Sequence, residues 1–125
     1  MKYLCLVYYD EKTLDAMPES EFDAFAEEHF ALDEALRKTG QCLLAEALQP
    51  VHTATTVQLR NGKLSTTDGP FAETKEQLGG FYMIDAKDPN DAIQIAARIP
   101  SARLGRIEVR PIWDRRQEEP RARRR

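Results

Sequence analysis

The 125-residue sequence predicts an α+β fold, an antiparallel sheet with two helices on one face and an added β-hairpin. Three observations predict it. Residues 2–9 (KYLCLVYY) are apolar on both alternating sides, so this strand needs cover above and below. Residues 18–39 repeat their apolar positions at helical spacing and stop at Gly40. Asn61-Gly62 lies between two short strand-like runs, the sequence of a two-residue hairpin turn.

The first strand presents Leu4, Leu6 and Tyr8 to one side and Tyr3, Cys5, Val7 and Tyr9 to the other, and ends at Asp10. In the helix that follows, Pro18 suits the first turn. Acidic residues gather early and Arg37 and Lys38 late, which complements the helix dipole. Strand-like runs come next at 42–48 (CLLAEAL) and 54–60 (ATTVQLR), and the hairpin turn leads into KLST. GFYMIDA, residues 80–86, reads as a strand. Asp88 and Pro89 then open a second helix as cap and first residue, and it runs through AIQIAARI to Pro100. Residues 106–113 (RIEVRPIW) form the last strand, with Pro111 marking an edge or a bulge. This order is that of a ferredoxin-like fold. Two helices cover one face of the sheet only, so the other face is expected to pack on a second copy, making a homodimer with sheets face to face.

A chain that is 42% hydrophobic and 31% charged, at this length, suits one domain with one core. That domain is placed at residues 1–114. Residues 115–125 (RRQEEPRARRR) are read as a disordered, solvated basic tail. The tail holds six of the 18 basic and two of the 21 acidic residues, which leaves 12 and 19 in residues 1–114, a net charge of −7. An acidic body argues against nucleic-acid binding by the folded part. No apolar run reaches the roughly 18 residues of a membrane span. Cys5 and Cys42 sit inside apolar runs as reduced thiols, which fits the cytoplasm. There is no zinc spacing, no phosphate-binding glycine loop and no Ser-His-Asp pattern. No metal or cofactor is therefore expected, and acid–base chemistry is the enzymatic class left.

Two places have residues suited to that chemistry. On the first helix Phe22, Phe25, Ala26, Leu32 and Leu36 form the apolar stripe, and His29 falls near its centre. Asp33, four residues on, shares that face, where its carboxylate is expected to hold the imidazole in one tautomer and raise its basicity. The plainer alternative is a core histidine with one hydrogen-bond partner. His52, in the loop PVHTAT, reads as surface. The second place is TTDGPFAETKEQLGGF, residues 66–81. Asp68 opens an Asp-Gly-Pro turn whose carboxylate accepts nearby backbone donors. Gly69 supplies a positive φ, and Pro70 sets the exit direction. Phe71 is expected to plug the loop onto the core, with Glu73, Lys75 and Glu76 crowding charge beside it. The alternative is an exposed, salt-bridged loop. Gly79-Gly80 permits close approach by a backbone or a ligand.

The signature DGPFAETKEQLGG, residues 68–80, lies within a longer stretch running from LQPVHTATTVQLRNGKLSTT to RLGRIEVRPIWD. This stretch closely resembles the DGPF branch of the YCII-related family, and the likeness extends through MKYLCLVYYD to nearly the whole chain apart from the tail. The resemblance implies a ferredoxin-like, dimeric α/β-barrel fold and an unassigned function. Relatives include a dehydrochlorinase of a chlorinated hydroxyhydroquinone, for which a histidine and an aspartate are proposed as the acid–base pair; carried over, those roles fall on His29 and Asp68. Members are commonly encoded beside alternative sigma factors, which implies a link to transcriptional regulation. The expectation is a small molecule bound in a cleft lined by the DGPF loop, with Gly69, Pro70, Phe71, Glu73, Lys75 and Arg60 as contacts. The alternative is a lyase or isomerase in which His29 abstracts a proton, Asp68 donates or orients, and Arg60 or Lys75 neutralises an enolate.

Overall fold

β1 (Lys2–Tyr9) is an inner strand of a four-stranded sheet, paired antiparallel with β5 (Gln77–Asp85) on one side and β6 (Arg106–Pro111) on the other. β2 (Cys42–Ala47) pairs antiparallel with the far side of β5, giving the order β2-β5-β1-β6. The structure, a computed structural model, describes residues 1–114, and the expectation of a disordered tail at 115–125 lies outside the described residues. α2 (Glu19–Lys38) lies over β2 and α3 (Pro89–Ala97) over β6. The architecture is mixed α+β with antiparallel sheets, consistent with a ferredoxin-like fold.

Alternation along β1 decides which side is core. Tyr3, Cys5 and Val7 are buried, and the register sets Tyr3 opposite Ile84 and Cys5 opposite Tyr82, both also buried. Onto this face pack Leu32 and Leu36 of α2 and Ala92, Ile95 and Ala96 of α3. The other face keeps Leu4, Leu6 and Tyr8 half-buried. Cross-strand pairs Leu44–Met83, Met83–Leu4 and Phe81–Leu6 make a continuous apolar patch there.

β3 (Thr55–Arg60) and β4 (Lys63–Asp68) form the added hairpin as a separate two-stranded sheet. Asn61 and Gly62, with φ of 51° and 74°, turn it in the left-handed region that a two-residue hairpin of type I′ needs.

Several element boundaries differ from expectation. The five-residue α1 (Glu11–Asp15) was not expected; the carboxylate of Asp10 caps it by accepting from the Lys12 N–H at 3.0 Å. α2 starts at Glu19, with Pro18 as its N-cap residue rather than in its first turn. β5 starts at Gln77 rather than Gly80, because the strand continues through a bulge at Gly79, opposite the Val7/Tyr8 step of β1. α3 ends at Ala97 and Pro100 opens a 3₁₀ turn, Pro100–Arg103.

The start of α3 is held reciprocally. Asp88 Oδ1 accepts from the Asp91 N–H at 2.8 Å, and Asp91 Oδ2 accepts from the Lys87 N–H at 2.9 Å. Asp88→Ala should therefore cost about 1 kcal/mol and lower the Tm by roughly 5 °C. Thermal denaturation followed by circular dichroism checks this, and an unchanged Tm would mean that solvent replaces the cap.

Candidate functional site

The C-terminal half of α2 packs down through Leu32 and Leu36, while its N-terminal half faces small residues on the sheet, Ala45, Ala47, Gly79 and Gly80. Bulky side chains above and small ones below leave a cavity of about 220 Å³. Phe22, Phe25, Ala26, His29 and Asp33 line it from α2, with Tyr9 of β1, Tyr82 of β5 and Ser101 of the 3₁₀ turn completing the wall. The glycine pair is what lets the chain come this close. A Cβ on Gly80 would lie 2.8 Å from the Glu46 carbonyl oxygen, and one on Gly79 would lie 2.2 Å from the Tyr9 ring. This is the close approach read from the sequence, here by neighbouring backbone and an aromatic ring.

His29 is fixed at both nitrogens. Nδ1 is 3.0 Å from the Phe25 carbonyl oxygen, which only accepts, so Nδ1 carries the proton. In the neutral ring Nε2 then accepts from the Ser101 hydroxyl at 2.8 Å. The Phe25 ring adds an edge-on contact at 4.7 Å. Burial lowers the His29 pKa below its ordinary value, partly offset by the Phe25 hydrogen bond and by Glu28. This corrects the expectation that carboxylates raise it.

Asp33 does not hold His29. Its Oδ1 accepts from Arg37 Nε at 2.7 Å and from the Cys42 thiol at 3.4 Å. A guanidinium one helical turn further on is a stronger partner than a neutral imidazole. Burial, then Asp33, pushes the Cys42 thiol up to about 11. Burial, with Asp33 and Cys42, pushes Tyr82 up to about 12. Neither group ionises near neutrality; beside the carboxylates of Asp33 and Glu46, His29 is the basic group that lines the cavity.

The Asp68–Phe71 turn lies elsewhere. Asp68 closes β4 opposite Thr55 and is exposed. Gly69, at φ 100°, donates its N–H to the Ala54 carbonyl at 2.7 Å and accepts from the Thr56 hydroxyl at 2.9 Å, which ties the turn to β3. Phe71 is 91% exposed, so it does not plug the loop onto its own core. Pro70, Glu73 and Lys75 are exposed, and Arg60 at the hairpin tip bonds the adjacent Leu59 carbonyl. Further along the loop, Glu76 pairs with Arg106 at 2.6 Å.

The YCII-related domain model matches residues 1–116. The chain belongs to the YCII-related family. The uncharacterized protein R00369 of Rhizobium meliloti (strain 1021) is 34% identical over 114 residues, which cover 90% of this chain and 92% of that protein. In this YCII-related chain the structure brings His29 and Asp33 to one cavity. It places Asp68, Gly69, Pro70, Phe71, Glu73, Lys75 and Arg60 outside that cavity. Among the described residues, then, the cavity that holds His29 does not include Asp68, and no lysine or arginine lines it.

Sequence reasoning missed Ser101 and Tyr9. Ser101 lies 72 residues from His29 and no spacing announces the pair, whereas Tyr9 was legible only as a strand residue. Among the described residues no cluster of His, Cys, Asp and Glu is suited to a metal ion, and no helix is long and apolar enough to cross a membrane.

Proposed function

We propose that this YCII-related protein binds a small molecule with a single aromatic ring in the cavity between α2 and the sheet. The observation that supports this most is the cavity itself, about 220 Å³, walled mainly by aromatic and apolar side chains, with the imidazole of His29 and the carboxylates of Asp33 and Glu46 among them. An apolar cavity of about 150 Å³ takes up benzene, and drug-sized sites run from about 300 Å³ upward. A substituted single ring fits between these limits. His29 Nε2 is the acceptor that a ligand hydroxyl or amine would meet, in exchange for Ser101.

Turnover by acid–base catalysis is the second reading, favoured by the fixed tautomer, which leaves Nε2 as the basic atom. A homodimer through the open face, closing a dimeric α/β barrel, belongs to the same proposal. Support for it comes from the apolar patch of Leu4, Leu6, Phe81, Met83 and Leu44, which no helix among the described residues covers. Such an interface should bury more than about 1,000 Å².

Thermal shift and saturation-transfer NMR with phenol, catechol and benzyl alcohol test the binding reading. At about 100-fold excess over Kd, a ligand adds about 2.7 kcal/mol by mass action, a Tm rise of several degrees. Ala26→Trp, which fills the cavity from α2, should abolish the response without unfolding the chain. An equal response in wild type and variant, or none in wild type, would overturn the reading.

A further inference from the structure

We propose that Ser101 and His29 form a nucleophile–base pair and that the cavity hydrolyses small uncharged aromatic esters. This rests on the reading of the cavity as a small-molecule site and adds a covalent step to it.

Ser101 is 2% exposed, a polar residue among the buried positions of an otherwise hydrophobic core, and its hydroxyl points at an imidazole. The 2.8 Å contact to Nε2 has a fixed direction. Nδ1–H is committed to the Phe25 carbonyl at 3.0 Å, so the Nε2 lone pair faces the Ser101 proton. A nucleophile within hydrogen-bond reach of a base, and a third group orienting that base, is the geometry of an activated serine. Here the third group is a backbone carbonyl instead of a carboxylate. It fixes the tautomer without a charge to stabilise the imidazolium, so turnover should be slow.

Phe25, His29 and Ser101 all line the cavity, so the pair faces space a substrate can occupy instead of being sealed in packed core. The substrate class follows from the walls. Phe22, Phe25 and Tyr9 offer surface for a ring, and the absence of lysine and arginine from the lining, among the described residues, disfavours phosphoesters and carboxylates.

The reaction closes without an oxidant or a cofactor. Ser101 Oγ bonds to the ester carbonyl carbon as its proton passes to His29 Nε2. The carbon–alkoxy bond then breaks, and the alcohol leaves with that proton. Water, deprotonated by the same nitrogen, attacks the acyl-serine, releases the carboxylic acid and returns the proton to Ser101.

The test treats the full chain with a fluorophosphonate probe and with p-nitrophenyl acetate. The probe should attach to Ser101, with fluoride leaving and the peptide identified by mass spectrometry. The ester should give a burst of p-nitrophenol followed by slow turnover. Ser101→Ala should lose both label and burst, and His29→Gln should slow acylation by about 100-fold or more. Labelling of the wild type needs no variant to fold, so an unlabelled Ser101 overturns the inference by itself. Undiminished hydrolysis by a folded Ser101→Ala protein does so too. Phenol binding without labelling removes only the Ser101 chemistry, whereas loss of phenol binding as well removes the small-molecule reading beneath it.

Discussion

Placing lysine at both Leu6 and Phe81 should convert the proposed homodimer into a monomer, weakening association by more than about 1,000-fold, some 4 kcal/mol. Leu6 and Phe81 are cross-strand partners on the face away from the helices, so the substitutions leave the buried residues Tyr3, Cys5, Val7, Tyr82 and Ile84 untouched. In a two-fold contact through that face, each substitution appears twice. Four ammonium groups would then be taken from water into an apolar interface, each at a cost of several kcal/mol. In the monomer they stay solvated, and Glu108, opposite Leu6 on β6, gives one of them a partner. The variant should therefore be a folded monomer, with a lower Tm because its stability no longer includes assembly. Sedimentation velocity over a range of micromolar concentrations decides it. A monomeric wild type would refute the dimer, and a double variant that still dimerises would move the contact elsewhere. The exposed Val57, Leu59 and Leu64 share one face of the hairpin and are where to look next.

The parts of this fold that were legible in the sequence are those that local chemistry decides. Asn61-Gly62 is a turn because both residues tolerate positive φ, and Asp88-Pro89 starts a helix because one caps it and the other is already bent for it. β1 declared itself a strand with two apolar faces, and Tyr3, Cys5 and Val7 on one of them are core. α1 did not declare itself, since five residues contain too little periodicity to register. The site divides in the same way. Helical spacing put His29 on the inward stripe, and the cavity is there. Its partner was misassigned, because spacing shows who can meet but not who binds more strongly. Asp33 had Arg37 within reach on its own helix, and His29 had Ser101, brought in by a turn that no local pattern connects to α2. The Asp68-Gly69-Pro70 turn was readable as a turn, yet its position relative to His29 depends on how the hairpin leaves the body, which lies beyond local sequence.

His29→Gln should separate the roles of the imidazole through pH as well as through function. Burial holds the His29 pKa in the folded chain below its ordinary value of 6.5, so the unfolded chain binds more protons over the interval between the two values. Stability from the neutral imidazole is therefore complete above about pH 6.5 and is lost as the pH falls towards the folded-state value. Protonation also turns Nε2 into a donor facing a hydroxyl that was donating to it, so the Ser101 bond must reorganise as the ring charges. Glutamine has no proton to gain, and the variant should lose this part of the acid sensitivity. At pH 7.5 it should be less stable by about 1 kcal/mol, up to 3 if the buried Ser101 hydroxyl finds no new acceptor. The difference between wild-type and variant unfolding free energies, measured in urea from pH 5 to 8, isolates His29 from the many carboxylates common to both. It should be largest at high pH and shrink below pH 6.5. If instead the difference grows as the pH falls, His29 is stabilised as the cation in the fold. Nε2 would then be a donor throughout the working range, and both the base and the acceptor roles assigned to it would be untenable.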